Sequence, residues 1–178
     1  PINSLCDITS DYKAHLTEKI GKDKANELFL KYNETATMHG DYILTTDNDL
    51  SNIKEEKPNI DAGSAYHKWI FYYPYPEKSD EFVKQANTVK KLVDSNDTKL
   101  VSRVYRSGFG SPEEFFIVSI PAKDEASYEN LIQETGEIIG EEFGRELDKL
   151  NKLCSKIKTE DVWFVPAYSN MESTDFLK

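Results

Sequence analysis

Few side chains in this sequence have both the type and the spacing for chemistry, and the histidines are the first to weigh. There are three, His15, His39 and His67. An axial haem ligand or a general base needs an imidazole in enclosed surroundings. His15 falls off the apolar stripe of its helix and His39 precedes a glycine, so solvent positions are expected for both. His67 stands two residues before Trp69 in an aromatic run, where a hydrogen-bonded imidazole at a strand start is expected rather than a ligand. Zinc is disfavoured, because no Cys-x-x-Cys, His-x-x-x-His or close His/Cys cluster occurs. Asp47-Asn48-Asp49 has the start of a calcium loop. Asn52 and Pro58 stand where that loop needs glycine and glutamate, which excludes an EF-hand. Cys6 and Cys154 are far apart and are expected as two ordinary thiols. Ser102, Ser107 and Ser119 lack the Gly-x-Ser-x-Gly elbow of a nucleophile. Ser107-Gly108-Phe109-Gly110 could turn backbone N–H groups to an anion, but a hairpin accounts for the glycines more simply. No catalytic residue, metal or cofactor is assigned from these patterns.

What remains is a possible pocket between two sheets. Trp69, Tyr73, Arg103, Tyr105 and Trp163 would line it, with Arg103 as a fixed cation and His67 as a titratable group. A slip of one residue in the choice of face would bring in Lys68, Tyr72 and Arg106 instead. The same aromatics would equally serve as the core of a contact between sheets.

The elements that must position these groups follow from periodicity. Ile8, Tyr12, Leu16 and Ile20 recur every four residues, and a stripe of Ala25, Leu28, Phe29, Tyr32 and Ala36 resumes after Gly21, predicting helix from about Asp7 to Met38 with a break at the glycine. Tyr42-Ile43-Leu44 is β-like. From Thr46 to about Ser64, turn formers and charges without a period predict a surface linker. Tyr66 to Tyr73 is a strand dense in aromatics, closed by Pro74 and Pro76. Ser79 is placed to cap a helix with the stripe Phe82, Ala86, Val89 and Val93. Strands are expected over Lys99–Arg106 and Glu114–Ile120. A long helix is expected from about Glu125 to Lys158, kinked near Gly136, Gly140 or Gly144, and a last strand over Asp161–Val165.

The order strand, helix, strand, strand, helix, strand predicts an α+β fold: a ferredoxin-like βαββαβ unit with an antiparallel sheet and both helices on one face. The first strand is apolar on both faces, Tyr66, Ile70 and Tyr72 alternating with Trp69, Phe71 and Tyr73. An aromatic open face is rarely left exposed, so a second sheet is expected to pair with it into an α+β barrel. A faint repeat at an offset of about 120 residues sets Ile20-Gly21 on Ile139-Gly140 and Asp41–Leu44 near Asp161–Phe164. The expected division is 1–50 as a helix and strand remaining from a first repeat, 51–64 as linker, 65–169 as the ferredoxin-like domain and 170–178 as tail.

Trp69 to Tyr73, Val104 to Gly110, Phe116-Ile117-Val118-Ser119 and Val162 to Pro166 resemble the dimeric α+β-barrel superfamily. The likeness is nearest to bacterial proteins of unknown activity, often exported, that carry two such units in tandem. The resemblance spans about two thirds of the chain. It implies the fold and self-association, or a pseudo-dimer within a longer chain. The superfamily contains cofactor-free monooxygenases, haem-degrading enzymes and peroxidases, but none of their catalytic patterns maps residue by residue here.

Composition bounds the partners. The chain has 178 residues, 38% hydrophobic and 12% aromatic, enough for a core, and its net charge of −10 argues against nucleic acid. No apolar run approaches the ~20 residues that span a bilayer. The chain begins at Pro1 rather than Met, so a trimmed N-terminus is expected, and the Lys, Asn, Glu and Asp content suits an exported protein somewhat better than a cytoplasmic one. Three functional readings follow: a protein binding a small apolar or aromatic molecule between sheets, a cofactor-independent oxygenase using His67 and Tyr105, or an assembly module with no ligand.

Overall fold

The computed structural model describes residues 12–35, 42–53 and 66–163. The chain divides into two units, Pro1–Asp41 and Tyr42–Lys178. In the first, helices α1 (Tyr12–Ile20) and α2 (Lys22–Thr35) are separated by Gly21 at φ 84°, and Ala25 of α2 is fully buried.

The second unit contains β1 (Leu44–Asn52), β2 (Tyr66–Pro74), a 3-10 turn (Pro76–Lys78), α3 (Ser79–Asp94), β3 (Ser102–Ser107), β4 (Phe116–Ala122), α4 (Glu125–Ile139), α5 (Glu141–Asn151) and β5 (Cys154–Trp163). The strands form one antiparallel sheet in the order β1-β3-β4-β2-β5. Within it, β2-α3-β3-β4-(α4, α5)-β5 is a ferredoxin-like unit: its last strand lies beside its first, and its third between its first and second. Strand β1 is added at the β3 edge.

Alternation along the strands decides the two faces. Ile70 and Tyr72 of β2, Val104 of β3, and Phe116, Val118 and Ile120 of β4 face the helices. They meet Phe82, Ala86, Val89 and Val93 of α3, Tyr128 and Ile132 of α4, and Phe143, Leu147 and Leu150 of α5. On the other face Trp69, Phe71 and Tyr73 surround Ile117 with Tyr105, Phe115 and Leu44. Phe115 is the hub there, its ring centroid 5.4 Å from Tyr42, 5.8 Å from Phe71 and 5.5 Å from Tyr73. Each such ring pair adds roughly 0.5–1.5 kcal/mol to its area burial.

The largest departure from the sequence expectation is at the second crossover. The predicted single helix to Lys158 is two helices, because Gly140 adopts φ 82°, a left-handed conformation open to glycine and costly for other residues. The chain then turns at Lys152-Leu153 and enters β5 at Cys154, seven residues before the expected Asp161. Cys154 and Ile157, which fall inside the expected helix, are therefore strand residues. The order helix, glycine, helix, strand thus occurs twice, through Gly21 and through Gly140. The second difference is β1, which continues to Asn52 through the start of the expected linker. There the Asp47 carboxylate accepts from Leu50 N–H at 3.0 Å and the Ser51 hydroxyl accepts from Val104 N–H at 2.9 Å, so Asp47 shapes a strand bulge. Ser79 opens α3 without capping it, its hydroxyl being hydrogen-bonded to the Glu114 carboxylate. Asp124 caps α4, accepting from Ser127 N–H at 2.8 Å.

Helices α3 and α5 are tied by one buried acid. Glu146 is 6% exposed; Lys149 Nζ donates to its Oε1 at 2.8 Å and Gln85 Nε2 to its Oε2 at 2.9 Å, with Arg145 at 3.5 Å. Hydrogen bonds from Lys149 and then Gln85 lower its pKa to about 2. A depressed carboxylate stabilises the fold above its unfolded pKa and loses that contribution as pH falls through the folded one. Denaturation midpoints are therefore expected to fall between about pH 4.5 and pH 2. In a Glu146→Gln variant that fall should be shallower, as read by urea titration across that range.

Candidate functional site

The register fixes which of the sequence-derived candidates meet. Trp69 pairs with Ser119, which pairs with Arg103, and Phe71 pairs with Ile117, which pairs with Tyr105. His67, Trp69, Tyr73, Arg103 and Tyr105 thus share the sheet face turned away from the helices. Trp163 pairs with Tyr66 and lies on the opposite face, 55% exposed, its ring 4.9 Å from that of Tyr66. The five that converge are buried or half-buried. His67 Nδ1 is 3.1 Å from the Ser119 hydroxyl. Lys156 Nζ sits 4.3 Å from the Tyr73 ring centroid, and burial, then the Glu113 charge, raises the Tyr73 pKa. His15 lies on α1, whereas His39 and Cys6 lie outside the described residues, as do Phe164 and Val165 of the expected last strand. Among the described residues no three His, Cys, Asp or Glu gather to hold a metal, and no helix is long and apolar enough to cross a membrane.

The other face of the sheet holds a feature that the sequence reading did not place. Between the sheet and helices α3, α4 and α5 lies a cavity of about 170 Å³. Its floor is Ile70, Tyr72, Val104, Phe116, Val118 and Ile120, and α3 and α5 supply most of its roof. The polar groups on its wall are few: Tyr72, Tyr128, Asn52, Ser102 and Lys90. Asn52 Nδ2 is committed to the Leu100 carbonyl at 2.9 Å, and Lys90 lies 3.7 Å from Asp94. Tyr72 is 7% exposed and its ring packs 5.7 Å from Phe82. Its hydroxyl has no hydrogen-bond partner among the described residues. Burial foremost, then nearby Tyr128 and Cys154, pushes its pKa upward, so the phenol stays protonated. Tyr66 on the same face contrasts with it, donating its hydroxyl to Asp161 at 2.5 Å, where Lys68 also donates at 2.8 Å.

The signal for this site was present in the alternation of β2. Tyr72 shares a face with Ile70, so the packing that buries Ile70 against helices must also bury a hydroxyl. What the pattern does not carry is whether the helices fill the space beside that side chain.

No family model matches the chain, and no curated protein matches it. Two solved structures are similar. A conserved protein from Methanosarcina mazei shares 19% identity over 58% of this chain and 94% of its own, with a TM-score of 0.41. A protein described as a candidate monooxygenase from Fusobacterium nucleatum shares 11% identity over 84% of this chain and 62% of its own, with a TM-score of 0.45. Likeness at this level transfers no activity. The fold class rests on the strand order given above, which is that of an α+β, ferredoxin-like protein.

The contrast between the two tyrosines gives an expected outcome. Tyr66→Phe removes a hydrogen bond to a carboxylate and should cost about 1–2 kcal/mol. Tyr72→Phe removes a buried hydroxyl that has no partner, and should leave stability unchanged or raise it by up to about 1–3 kcal/mol. Chemical denaturation of the two variants checks both.

Proposed function

We propose that the protein binds a small apolar or aromatic molecule, held between the sheet and its helices. The observation that supports this reading is the cavity itself: about 170 Å³ walled by Ile70, Val104, Phe116, Val118, Ile132 and Phe143, with few polar groups. Protein interiors are ordinarily filled to crystal-like density, and an apolar void of about 150 Å³ stays dry and takes up a single aromatic ring. A ligand there would gain roughly 25 cal/mol for each Å² of apolar surface withdrawn from water.

Filling the space with protein atoms tests the reading. Ala86 lines the cavity from α3, where leucine is a good helix former. Ala86→Leu is expected to leave stability unchanged or raise it, while abolishing the rise in melting temperature that benzene or toluene gives the parent protein. A loss of about 1–3 kcal/mol on this substitution would show that the helices already fill the space.

A second reading draws on the convergence of His67, Trp69, Tyr73, Arg103 and Tyr105 on one half-buried face. On this reading an aromatic molecule, held between this face and a second sheet of an α+β barrel, stacks on Trp69. It predicts that such a molecule alters Trp69 emission in a Trp163→Phe variant. Unchanged emission at saturating ligand contradicts it.

A further inference from the structure

The wall chemistry narrows what the cavity would accept, given that it is a ligand site at all. Of the residues that line it, Lys90 is the single cation and none is acidic. Lys90 lies near the end of α3 with Asp94 at 3.7 Å on the same helix, so its charge is already attended. An ionised carboxylate or ammonium carried inside would lose its hydration with no counter-charge to meet it. Such a wall favours an uncharged ligand.

Hydrogen bonding narrows it further. Tyr72 and Tyr128 bring phenols to the wall, and no described residue accepts from the Tyr72 hydroxyl. A donor withdrawn from bulk water without an acceptor carries a desolvation cost that a bound acceptor would recover. Phe82 presents a ring to it, and Phe116 and Ile157 are its partners on β4 and β5; the polar neighbours Tyr128 and Cys154 make no hydrogen bond to it. A space of about 170 Å³ limits the ligand to about one six-membered ring with a short substituent.

We propose that the ligand is a neutral, single-ring-sized compound bearing a carbonyl or ether oxygen, which accepts a hydrogen bond from Tyr72 while its hydrocarbon body lies against Ile70, Val104 and Val118. Tyr72 is a binding and specificity-determining residue in this scheme, with no covalent role. The phenol, whose ionisation burial opposes, remains a donor throughout the neutral range.

Three probes test this: cyclohexanone, methylcyclohexane and cyclohexanecarboxylate, titrated by NMR against the parent protein, Tyr72→Phe and Tyr66→Phe. Tyr72→Phe is expected to weaken cyclohexanone about fivefold or more and to leave methylcyclohexane within about twofold. Tyr66→Phe, whose hydroxyl is bound to Asp161, should change neither, and the carboxylate should not bind the parent at pH 7. Equal effects of Tyr72→Phe on ketone and hydrocarbon, or no effect on either, overturn the assignment of Tyr72 while leaving the cavity reading standing. Tight binding of the carboxylate overturns the neutrality of the ligand. Failure of cyclohexanone and methylcyclohexane alike to bind the parent overturns the cavity reading, and this inference falls with it.

Discussion

Strand β2 is the constraint on which the rest of the structure depends. It lies in the sheet interior with β4 on one side and β5 on the other, so both of its hydrogen-bonding edges are used along most of its length. Its side chains are large and apolar on both faces. Ile70 and Tyr72 commit one face to the helices, and Trp69, Phe71 and Tyr73 commit the other to the cluster around Phe115 and Ile117. A shift of one residue would exchange the two sets and put Lys68 on the face that holds Trp69. Register and core are therefore one decision, made in nine residues.

The two faces differ in how they are filled. On the face away from the helices, aromatic rings close over Ile117, which is fully buried, and Ser119 is 5% exposed beside His67. On the helix face the core falls into two groups, one around Tyr72, Phe82 and Phe116 and the other around Val93, Ile120 and Phe143. The cavity lies along the seam between them, lined by members of both. Helices α3 and α5 bridge it from above, joined by hydrogen bonds from Gln85 of α3 to the carboxylate and backbone carbonyl of Glu146 on α5. A buried carboxylate must keep its donors, so this contact favours the helix pairing that holds Gln85 against Glu146.

Much of this was legible in the sequence. The βαββαβ order, the antiparallel sheet and the two-faced first strand follow from alternation and turn residues, because burial imposes a period of two on strands whatever the tertiary detail. The convergence of Trp69, Tyr73, Arg103 and Tyr105 was legible for the same reason. Trp163 was not, because its face depends on the register of β5 against β2, and β5 begins at Cys154 while the apolar residues Leu150, Cys154 and Ile157 keep helical spacing. The break at Gly140 was one of three glycines at equal spacing, and only the backbone shows which takes the positive φ. The cavity itself was not legible, although the burial of Tyr72 beside Ile70 was. A void is a difference between the volume that helices enclose and the volume that side chains occupy, and neither is written in a residue pattern.

The most direct measurement is a methyl NMR titration of the isotope-labelled protein with toluene. The cavity reading predicts saturable shifts at Ile70, Val104, Val118, Ile120 and Ile132, with Ile117 on the opposite face unmoved. Shifts confined to Ile117 and its neighbours, or no saturable shift at any of these methyls, would contradict it.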